Sequence, residues 1–317
     1  MIEAKNLVKR YGDFTAVDGV SLSIDQGEIY GFLGPNGAGK TTTINMLLGT
    51  LAPTEGTVTL FGKPLHPDDP ETKLRIGVVP EKHPSGFWPW LTAGEYLEFF
   101  ADLFSVSNSA KKIDELLERV ELIRYRAKKV REFSRGMLQK LSILRALLKG
   151  PDILFLDEPI SGLDPIGIKQ VRDLILDENK KGRTIFISSH ILSEVEKICG
   201  RAAVILKGRI QREEEMALLV TSLSADREIY IEAEDIPHGF SGKIAKLPFV
   251  LECDVCGNRI KVTIDKTGDF RKDLSKYIYD MGVVPLSIQE KSASLEDAFI
   301  QITQETLEKV SSEENSE

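Results

Sequence analysis

Short apolar runs alternate with helical patterns over residues 1 to about 210 of the chain. Several runs are apolar at successive positions, as strands buried on both faces of a parallel sheet are. The runs read "GEIYGFLG", "RIGVVP", "DILFLDEP", "RTIFISSH" and "RAAVILKGR". Strands that alternate with helices in this way predict an α/β fold with a parallel sheet.

The pattern changes after "EEEMALLV", where shorter alternating strands and two helices follow in the order β-α-β-β-α-β. This order predicts a small ferredoxin-like α+β domain. A last helix is expected near "SLEDAFIQITQETLEKV", and the polar residues "SSEENSE" are expected to form a disordered tail. We therefore predict a first domain over 1–212, with a helical subdomain at about 82–150, an accessory domain over 213–310 and a tail over 311–317.

Composition limits the classes of protein that fit this pattern. The chain has 317 residues, of which 42% are hydrophobic and 28% are charged, and this is typical of a globular protein. No apolar run approaches the roughly 18 residues of a membrane-spanning helix, and "MIEAKNLVKRYG" does not resemble a secretory signal. The net charge of −8 argues against non-specific nucleic-acid binding. We therefore expect a cytosolic protein that does not bind nucleic acid.

The three cysteines cannot form a disulfide framework, but Cys253 and Cys256 form a C-x-x-C pattern. Such a pattern can bind a metal or act in redox chemistry. A metal site would need further ligands, and His238 is the only histidine nearby. The alternative, that the two cysteines are simply small residues near a hairpin turn, is favoured.

The most specific motif is "GPNGAGKTT", which lies between an apolar strand and the helical pattern "TTTINMLLG". It matches G-x-x-x-x-G-K-[ST], in which glycines let backbone amides surround a phosphate chain at a helix N-terminus. Lys40 would neutralise the β- and γ-phosphate oxygens, and the Thr41 hydroxyl would ligate Mg²⁺. The predicted nucleotide contacts are Gly34, Pro35, Asn36, Gly37, Ala38, Gly39, Lys40, Thr41 and Thr42.

Acidic and histidine side chains follow the later strands. "ILFLDEP" ends in Asp157 and Glu158, and strand alternation would place these carboxylates on opposite sides of the backbone. Asp157 could then bind Mg²⁺ directly or through water, while Glu158 acts as general base on an attacking water. Asp164 in "SGLDP" is a further nucleotide contact, and His190 at the end of "TIFISSH" is a catalytic candidate that could reach the γ-phosphate or the base.

These pieces, in this order, resemble the ATPase subunit of ATP-binding cassette (ABC) transporters, over residues 1 to about 212. The stretch "FSRGMLQKLSILRALLKGPDILFLDEP" is similar to the family signature, usually Leu-Ser-Gly-Gly-Gln, followed by the acidic strand. Ser134, Arg135 and Gly136 would open a helix whose N-terminus is an anion site. The resemblance implies that this site covers the γ-phosphate of ATP bound by another copy, so that two ATP molecules lie between two chains.

Two further matches extend the resemblance. Tyr11 in "KRYGDFTAV" matches the aromatic residue that stacks on adenine, although a half-buried structural tyrosine is the simpler interpretation without the match. "SLEDAFIQIT" resembles a C-terminal motif of the ABC-2, export-type subgroup, whose permease is a separate chain. The resemblance therefore implies a transmembrane permease partner and a peripheral position at the cytoplasmic face of the membrane.

The chain departs from the family pattern at three positions. Arg135 and Met137 replace a glycine and the glutamine of the signature. Arginine is compatible with a nearby phosphate, whereas methionine cannot make the polar contacts of glutamine. Glu81 stands where the family usually has glutamine, and a carboxylate there can ligate Mg²⁺. We expect activity to survive these changes, with Thr41, Glu81 and Asp157 as metal ligands.

Both tryptophans of the chain lie in the proline-rich stretch that begins at Glu81. The family resemblance implies that this region contacts the permease, so Phe87, Trp88 and Trp90 could form an apolar docking surface. Alternatively, these rings pack on the helices "AGEYLEFFADLF" and "IDELLERVEL" as part of a local core. If the surface is an interface, Trp88 is expected to be the more exposed ring.

The function expected from the resemblance is ATP hydrolysis that drives a separate permease for export, by a dimer that binds two ATP molecules with Mg²⁺. One rival is a soluble cassette ATPase of translation or DNA repair. Such proteins usually carry two cassettes or a long coiled coil, and this chain shows one cassette and no long heptad run. The other rival is a nucleotide-binding regulator without catalysis, which the presence of Lys40, Asp157 and Glu158 disfavours.

Overall fold

The computed structural model describes residues 1–66, 68–81, 88–222, 227–234, 236–265, 270–290 and 294–314. The chain divides into two compact units. The first contains residues 1–219 and 305–317, and the second contains residues 220–304. Phe87, one of the predicted partner contacts, lies outside the described residues.

The first unit contains two sheets. Its strands are β1 Ile2–Tyr11, β2 Phe14–Ile24, β3 Ile29–Leu33, β4 Glu55–Leu60, β5 Lys63–Pro64, β6 Ile76–Val79, β7 Ile153–Asp157, β8 Thr184–Ser189, β9 Arg201–Leu206 and β10 Arg209–Glu215. The larger sheet has the order β10-β9-β3-β8-β7-β6, in which β9, β3, β8, β7 and β6 run parallel and β10 is antiparallel to β9. Every residue of β3, β7 and β8 is buried, which confirms the α/β prediction.

The smaller sheet is antiparallel, with the order β2-β1-β4-β5. One hydrophobic cluster joins both sheets, with Ile2 and Val17 from the smaller and Phe32 and Phe155 from the larger. The alternating burial of β1 and β2 is typical of a sheet with one solvated face. The sequence pattern did not predict this second sheet, because its half-exposed strands lack the continuous apolar runs of the larger one.

Helices of the first unit connect these strands. In chain order they are α1 Lys40–Leu47, α2 Pro70–Leu74, α3 Ala93–Leu103, α4 Ser109–Arg119, α5 Arg135–Leu147, α6 Pro165–Lys180, α7 Leu192–Val195 and α8 Met216–Ser222. Helices α3, α4 and α5 all lie between β6 and β7 in the sequence. Thr92 starts α3 with a capping box, in which its hydroxyl and the Glu95 carboxylate satisfy free backbone amides.

The second unit is built in the predicted β-α-β-β-α-β order. Its elements are β11 Arg227–Ala233, α9 Phe240–Ile244, β12 Val250–Cys256, β13 Arg259–Ile264, α10 Arg271–Asp280 and β14 Pro285–Glu290. The antiparallel sheet has the order β12-β13-β11-β14, which is the ferredoxin-like arrangement. Alternate residues such as Ile229 and Ile231 pack with Phe240 and Ile278 from its two helices.

Two predicted boundaries differ from the observed elements. The boundary after residue 212 falls inside β10, which pairs with β9. The last helix, α11, spans Leu295–Glu314, so residues 311–314 of the predicted tail are helical. Glutamate is a good helix former, and no glycine or proline ends the helix before this point.

The C-x-x-C pattern lies on strand β12. Residues three apart on a strand point to opposite faces, so Cys253 and Cys256 cannot share a metal ion or form a disulfide with each other. Burial raises the pKa of Cys253 to about 11, which leaves its thiol protonated and unreactive. The simpler interpretation, of small residues near a hairpin turn, therefore accounts for this motif.

Within the part of the chain that the structure describes, no helix combines the length and apolar character needed to cross a membrane.

Candidate nucleotide-binding site

A pocket of about 490 Å³ lies at the carboxyl end of the parallel sheet, beside the start of α1. Strands β3 and β7 end at this edge, so the segments that follow them converge here. The pocket is lined by Tyr11, Phe14, Ala16, Pro35, Asn36, Gly37, Gly39, Lys40, Thr41, Thr42, Glu81, Asp157 and Glu158. Ligands of open α/β sheets commonly bind at this position.

Glycines give the loop between β3 and α1 its shape. Gly37 and Gly39 have φ angles of 80° and 105°, which other residues rarely adopt. A Cβ on Gly34 would lie 2.4 Å from the backbone oxygen of Ile205. The loop is therefore fixed close to the neighbouring backbone, and most of its residues line the pocket beside the N-terminus of α1, which suits a phosphate site.

Lys40 lies in the centre of this loop with only 7% of its surface exposed. Its Nζ donates to the backbone oxygen of Gly34 at 2.7 Å and to that of Pro35 at 3.3 Å. The same nitrogen is 3.5 Å from Oε1 of Glu158. A buried ammonium is stable only with such partners, so Lys40 is a fixed positive charge inside the loop.

Asp157, the last residue of β7, is held by two hydroxyl groups. Thr41 Oγ1 donates to its Oδ2 at 3.0 Å, and the Ser188 hydroxyl donates to Oδ1. Burial raises the pKa of Asp157, and the hydrogen bonds from Ser188 and Thr41 offset part of this rise. Among the described residues, no three His, Cys, Asp or Glu side chains converge on one point. A Mg²⁺ ion here would therefore need further oxygen ligands from phosphate or water, which suits its preference for few protein ligands.

Glu158 is 5% exposed and forms the link between Lys40 and His190. Its Oε2 is 2.7 Å from Nδ1 of His190, whereas its buried Oε1 has no hydrogen-bond partner. This buried oxygen lies 3.5 Å from Nζ of Lys40 and could accept a hydrogen bond from a water bound beside the phosphate loop. The His190 ring is half exposed, so it joins the buried carboxylate to solvent.

Strand alternation does not describe how Asp157 and Glu158 reach the site, because Glu158 lies beyond the end of the strand. Both residues border the same pocket. Strand β7 ends at Asp157, and Glu158 has a φ of 52° in the left-handed region. Its amide donates to the backbone oxygen and hydroxyl of Ser188, at 3.1 Å each. This turn, stabilised by β8, brings both carboxylates to one site.

Ser188 and Phe14 were missed by sequence reasoning. Ser188 carries no motif of its own, although its place two residues before His190 at a strand end was a usable signal. Phe14 is exposed on the pocket rim with Tyr11, and β1 and β2 pair these two residues directly. Ala38 and Gly34 belong to the loop without lining the pocket, and exposed Glu81 lines it.

The signature residues lie outside this pocket. Ser134 caps α5, where its hydroxyl accepts from the amide of Met137 at 3.2 Å. Arg135 and Gly136 form the first turn of the same helix. Asp164 caps α6 by accepting from the amide of Gly167 at 2.7 Å. Within one chain, the structure therefore does not bring these four predicted nucleotide contacts to the phosphate loop.

Trp88 was expected to be more exposed than Trp90, and the structure shows the opposite. Trp88 is half buried, with its ring centroid 4.6 Å from that of Phe99 and 6.0 Å from that of Phe100 on α3. Trp90 is 63% exposed. The local-core interpretation therefore holds for Trp88, because an edge-to-face contact with Phe99 is available to it. Trp90 is the ring left at the surface.

Comparisons with known proteins show which chains this one is similar to. Residues 17–161 match the family described as ABC transporter. A bacitracin transport ATP-binding protein of Bacillus licheniformis is 38% identical over 304 residues, which are 95% of this chain and 97% of the relative. A Nod factor export ATP-binding protein I of Burkholderia lata is 35% identical, over 95% of this chain and 96% of the relative.

Two further matches cover less of this chain. An uncharacterized ABC transporter ATP-binding protein of Synechocystis is 44% identical, but this chain covers only 54% of its length. Among solved structures, a dimeric ATP-binding cassette in a post-hydrolysis state with ADP and Pi aligns with a TM-score of 0.61 at 28% identity. That alignment covers 68% of this chain and 99% of the cassette.

Proposed function

This chain belongs to the ABC transporter family, and on that basis we propose that it is the ATP-binding and ATP-hydrolysing subunit of a transporter whose membrane permease is a separate chain. The observation that carries this proposal is the contact series beside the glycine loop, in which buried Lys40 and Glu158 are followed by the half-exposed His190. It combines a phosphate-binding cation with a carboxylate base, which a purely structural strand end does not need.

ATP is held by the loop residues 34–42, with adenine at the rim. Loop amides and Lys40 contact the phosphates, and the exposed Tyr11 ring offers a stacking surface for the base. Thr41, Asp157 and Glu81 would hold Mg²⁺ together with phosphate oxygens and water. When bound there, Mg²⁺ supplies positive charge to the β- and γ-phosphate oxygens.

Hydrolysis follows from the placement of Glu158. Its carboxylate accepts a proton from the attacking water as that oxygen approaches the γ-phosphorus. His190 bonds to Oε2 and so orients the carboxylate with Oε1 free for water. Lys40 stabilises the charge that develops on the phosphate oxygens. Ser188 positions both Asp157 and the Glu158 backbone.

A second copy completes each site. The residues Ser134 to Gly136 present free amides at the N-terminus of α5, away from the pocket of their own chain. We infer that they cover the γ-phosphate of ATP bound by a second copy, with Asp164 near the same interface. The similarity to a dimeric cassette bound to ADP and Pi supports this arrangement.

The permease contact is proposed for the surface formed by Glu81, Trp90 and the exposed side of α3. Trp90 is 63% exposed, and Phe99 and Leu103 on α3 are 45% and 63% exposed. Aromatic side chains are enriched in the cores of protein interfaces. Glu81 borders the nucleotide pocket, so a change at the phosphate can reach this surface. Trp88 supports the surface from below through Phe99.

The direction of transport proposed is export, with the chain at the cytoplasmic face of the membrane. Two relatives that span nearly the whole chain are named for bacitracin transport and Nod factor export, and this supports an export-type subunit. Substrate contacts would lie in the permease.

A phosphate-release assay separates this function from a nucleotide switch without catalysis. The purified chain should release phosphate from ATP when Mg²⁺ is present, and Lys40→Ala should lower the rate by about 100-fold or more. The exposed Lys111 on α4 provides a matched control, because Lys111→Ala removes the same charge far from the pocket. A parental chain that binds ATP without releasing phosphate would support the regulatory alternative.

The permease surface is tested with Trp90→Ala in cells that make the whole transporter. We expect normal ATP binding but loss of co-purification with the membrane partner. The equally exposed Tyr279 in the second unit is a control for loss of an aromatic side chain. Unchanged co-purification of Trp90→Ala would place the contact elsewhere.

A further inference from the structure

Arg135 lies against the loop that follows the proposed general base. A Cβ built on Gly162 would be 3.0 Å from Nε of Arg135 and 3.2 Å from both Cδ and Cζ. Gly162 also has a φ of 73°, so glycine is required there by both space and backbone shape. Next to this contact, a Cβ on Gly136 would be 3.1 Å from Leu163. The first turn of α5 and residues 162–163 are therefore in close contact.

This loop is tied directly to Glu158. The amide of Ser161 donates to the backbone oxygen of Glu158 at 3.2 Å, and the amide of Leu163 donates to that of Ile160 at 3.4 Å. Ile160 is buried, and Asp164 caps α6. Two short hydrogen-bonded turns therefore connect Glu158 to the start of α6. A displacement at Gly162 would change the position of the Glu158 backbone.

Packing, rather than an ion pair, holds Arg135 in place. The residue is exposed, and none of the salt bridges between described residues includes its guanidinium. The Arg135 atoms nearest to Gly162 are Cδ, Nε and Cζ, at the junction of the aliphatic stem and the guanidinium group. The signature resemblance implies that most members of the family have glycine at position 135. Glycine there has no side chain, so it would not contact Gly162.

We propose that Arg135 is a positioning residue that couples the two ATP sites of the dimer. This inference rests on the proposed function, in which α5 of one chain covers ATP bound by the second copy. In that arrangement Arg135 belongs to one ATP site, whereas Glu158 of the same chain serves the other. The contact between Arg135 and Gly162 therefore transmits closure at one site to the base of the other.

The experiment measures ATP hydrolysis by the full chain as a function of ATP concentration. The unaltered chain should show a Hill coefficient approaching 2, the number of coupled sites. Arg135→Ala should lower it to about 1 and reduce kcat by about tenfold, because the loop after Glu158 loses its support. Arg135→Met retains a stem of similar length without charge, so it should keep the Hill coefficient of the unaltered chain, whatever the loss of charge does to kcat. Arg131→Ala, at an exposed arginine nearby, is the control.

Gly162→Ala tests the same contact from the other side. The added methyl group would displace Arg135, so Gly162→Ala should also lower the Hill coefficient. The double variant Gly162→Ala with Arg135→Ala should have the same Hill coefficient as either single variant, because both changes break one contact. Tryptophan fluorescence and nucleotide binding confirm that each variant is folded.

Three results would overturn the inference. The first is an unaltered Hill coefficient and kcat in Arg135→Ala. The second is a Hill coefficient of 1 in the parental chain. The third is a pattern that follows charge: Arg135→Lys keeps the Hill coefficient and kcat of the unaltered chain, while Arg135→Met loses both as Arg135→Ala does. That pattern would assign the role of Arg135 to a charge contact with phosphate instead of packing. Absence of any ATP hydrolysis in the parental chain would instead refute the proposed function itself.

Discussion

Replacing Glu178 by glutamine tests how the helices between β6 and β7 are held to the sheet. Glu178 lies near the end of α6 and its side chain is only 3% exposed. Its carboxylate pairs with Arg119 of α4 at 2.5 Å, with Lys181 at 2.7 Å and with Arg183 at 2.5 Å. Glu178→Gln keeps the shape of the side chain but leaves these three cations without their shared anion.

The size of the effect follows from the pKa of Glu178. Burial alone would raise this pKa, but hydrogen bonds from Lys181, Arg119 and Arg183 outweigh burial and lower it from 4.5 to about 2. A lowered carboxylate pKa stabilises the fold above the unfolded-state value, and this stabilisation is lost as the pH falls from about 4.5 to about 2. After allowance for the partly exposed Lys181 and Arg119, the charge contributes about 2 to 3 kcal/mol near neutral pH.

The assay is urea unfolding followed by tryptophan fluorescence, because both tryptophans lie in the first unit and report on it alone. At about pH 7 the Glu178→Gln midpoint should fall by the equivalent of about 2 to 3 kcal/mol, and the difference should shrink by about 1 kcal/mol at about pH 4. Asp177→Asn is the control, since Asp177 is exposed and its pair with Lys180 contributes little. Equal midpoints for Glu178→Gln and Asp177→Asn would refute the reasoning.

Other predictions concern the site and the cysteines. In steady-state kinetics, His190→Ala should reduce kcat by about 100-fold with little change in ATP affinity, because Glu158 stays in place but loses the hydrogen bond that orients it. An unchanged kcat would exclude this orienting role of His190. Ser188→Ala should raise the Mg²⁺ concentration for half-maximal hydrolysis by about tenfold, and an unchanged Mg²⁺ dependence would contradict its placement. In the native protein a thiol reagent should modify exposed Cys256 and spare Cys199, because Cys199 is buried and burial raises its pKa. Mass spectrometry identifies the modified cysteine, and modification of both would contradict the burial of Cys199.

The parallel sheet and the ferredoxin-like unit were predictable because their patterns are strong. Continuous apolar runs mark β3, β7 and β8, and the residues that follow them carry the glycine loop, the carboxylates and His190. Parallel strands align their carboxyl ends, so sequence order alone predicts that these groups meet. The second unit was predictable because alternating strands and amphipathic helices have different periods.

The details that failed depend on contacts between distant segments. The positive φ of Glu158 is stabilised by hydrogen bonds from its amide to Ser188, a residue on another strand. No local pattern predicts that turn, so the alternation rule does not describe how Glu158 reaches the pocket. The exposure of Trp88 and Trp90 depends on which ring meets α3, and two large apolar residues so close in sequence cannot be told apart by composition.

The central claim is that ATP joins two copies of this chain with Ser134 of one copy over the phosphates held by the other. The direct test is size-exclusion chromatography with light scattering on Glu158→Gln, which should bind ATP without hydrolysing it. The account predicts a stable dimer with one ATP per chain in ATP and Mg²⁺, a monomer in ADP, and loss of the dimer when Ser134→Arg is added. A Glu158→Gln chain that stays monomeric with ATP bound, or that hydrolyses ATP at the parental rate, would contradict it.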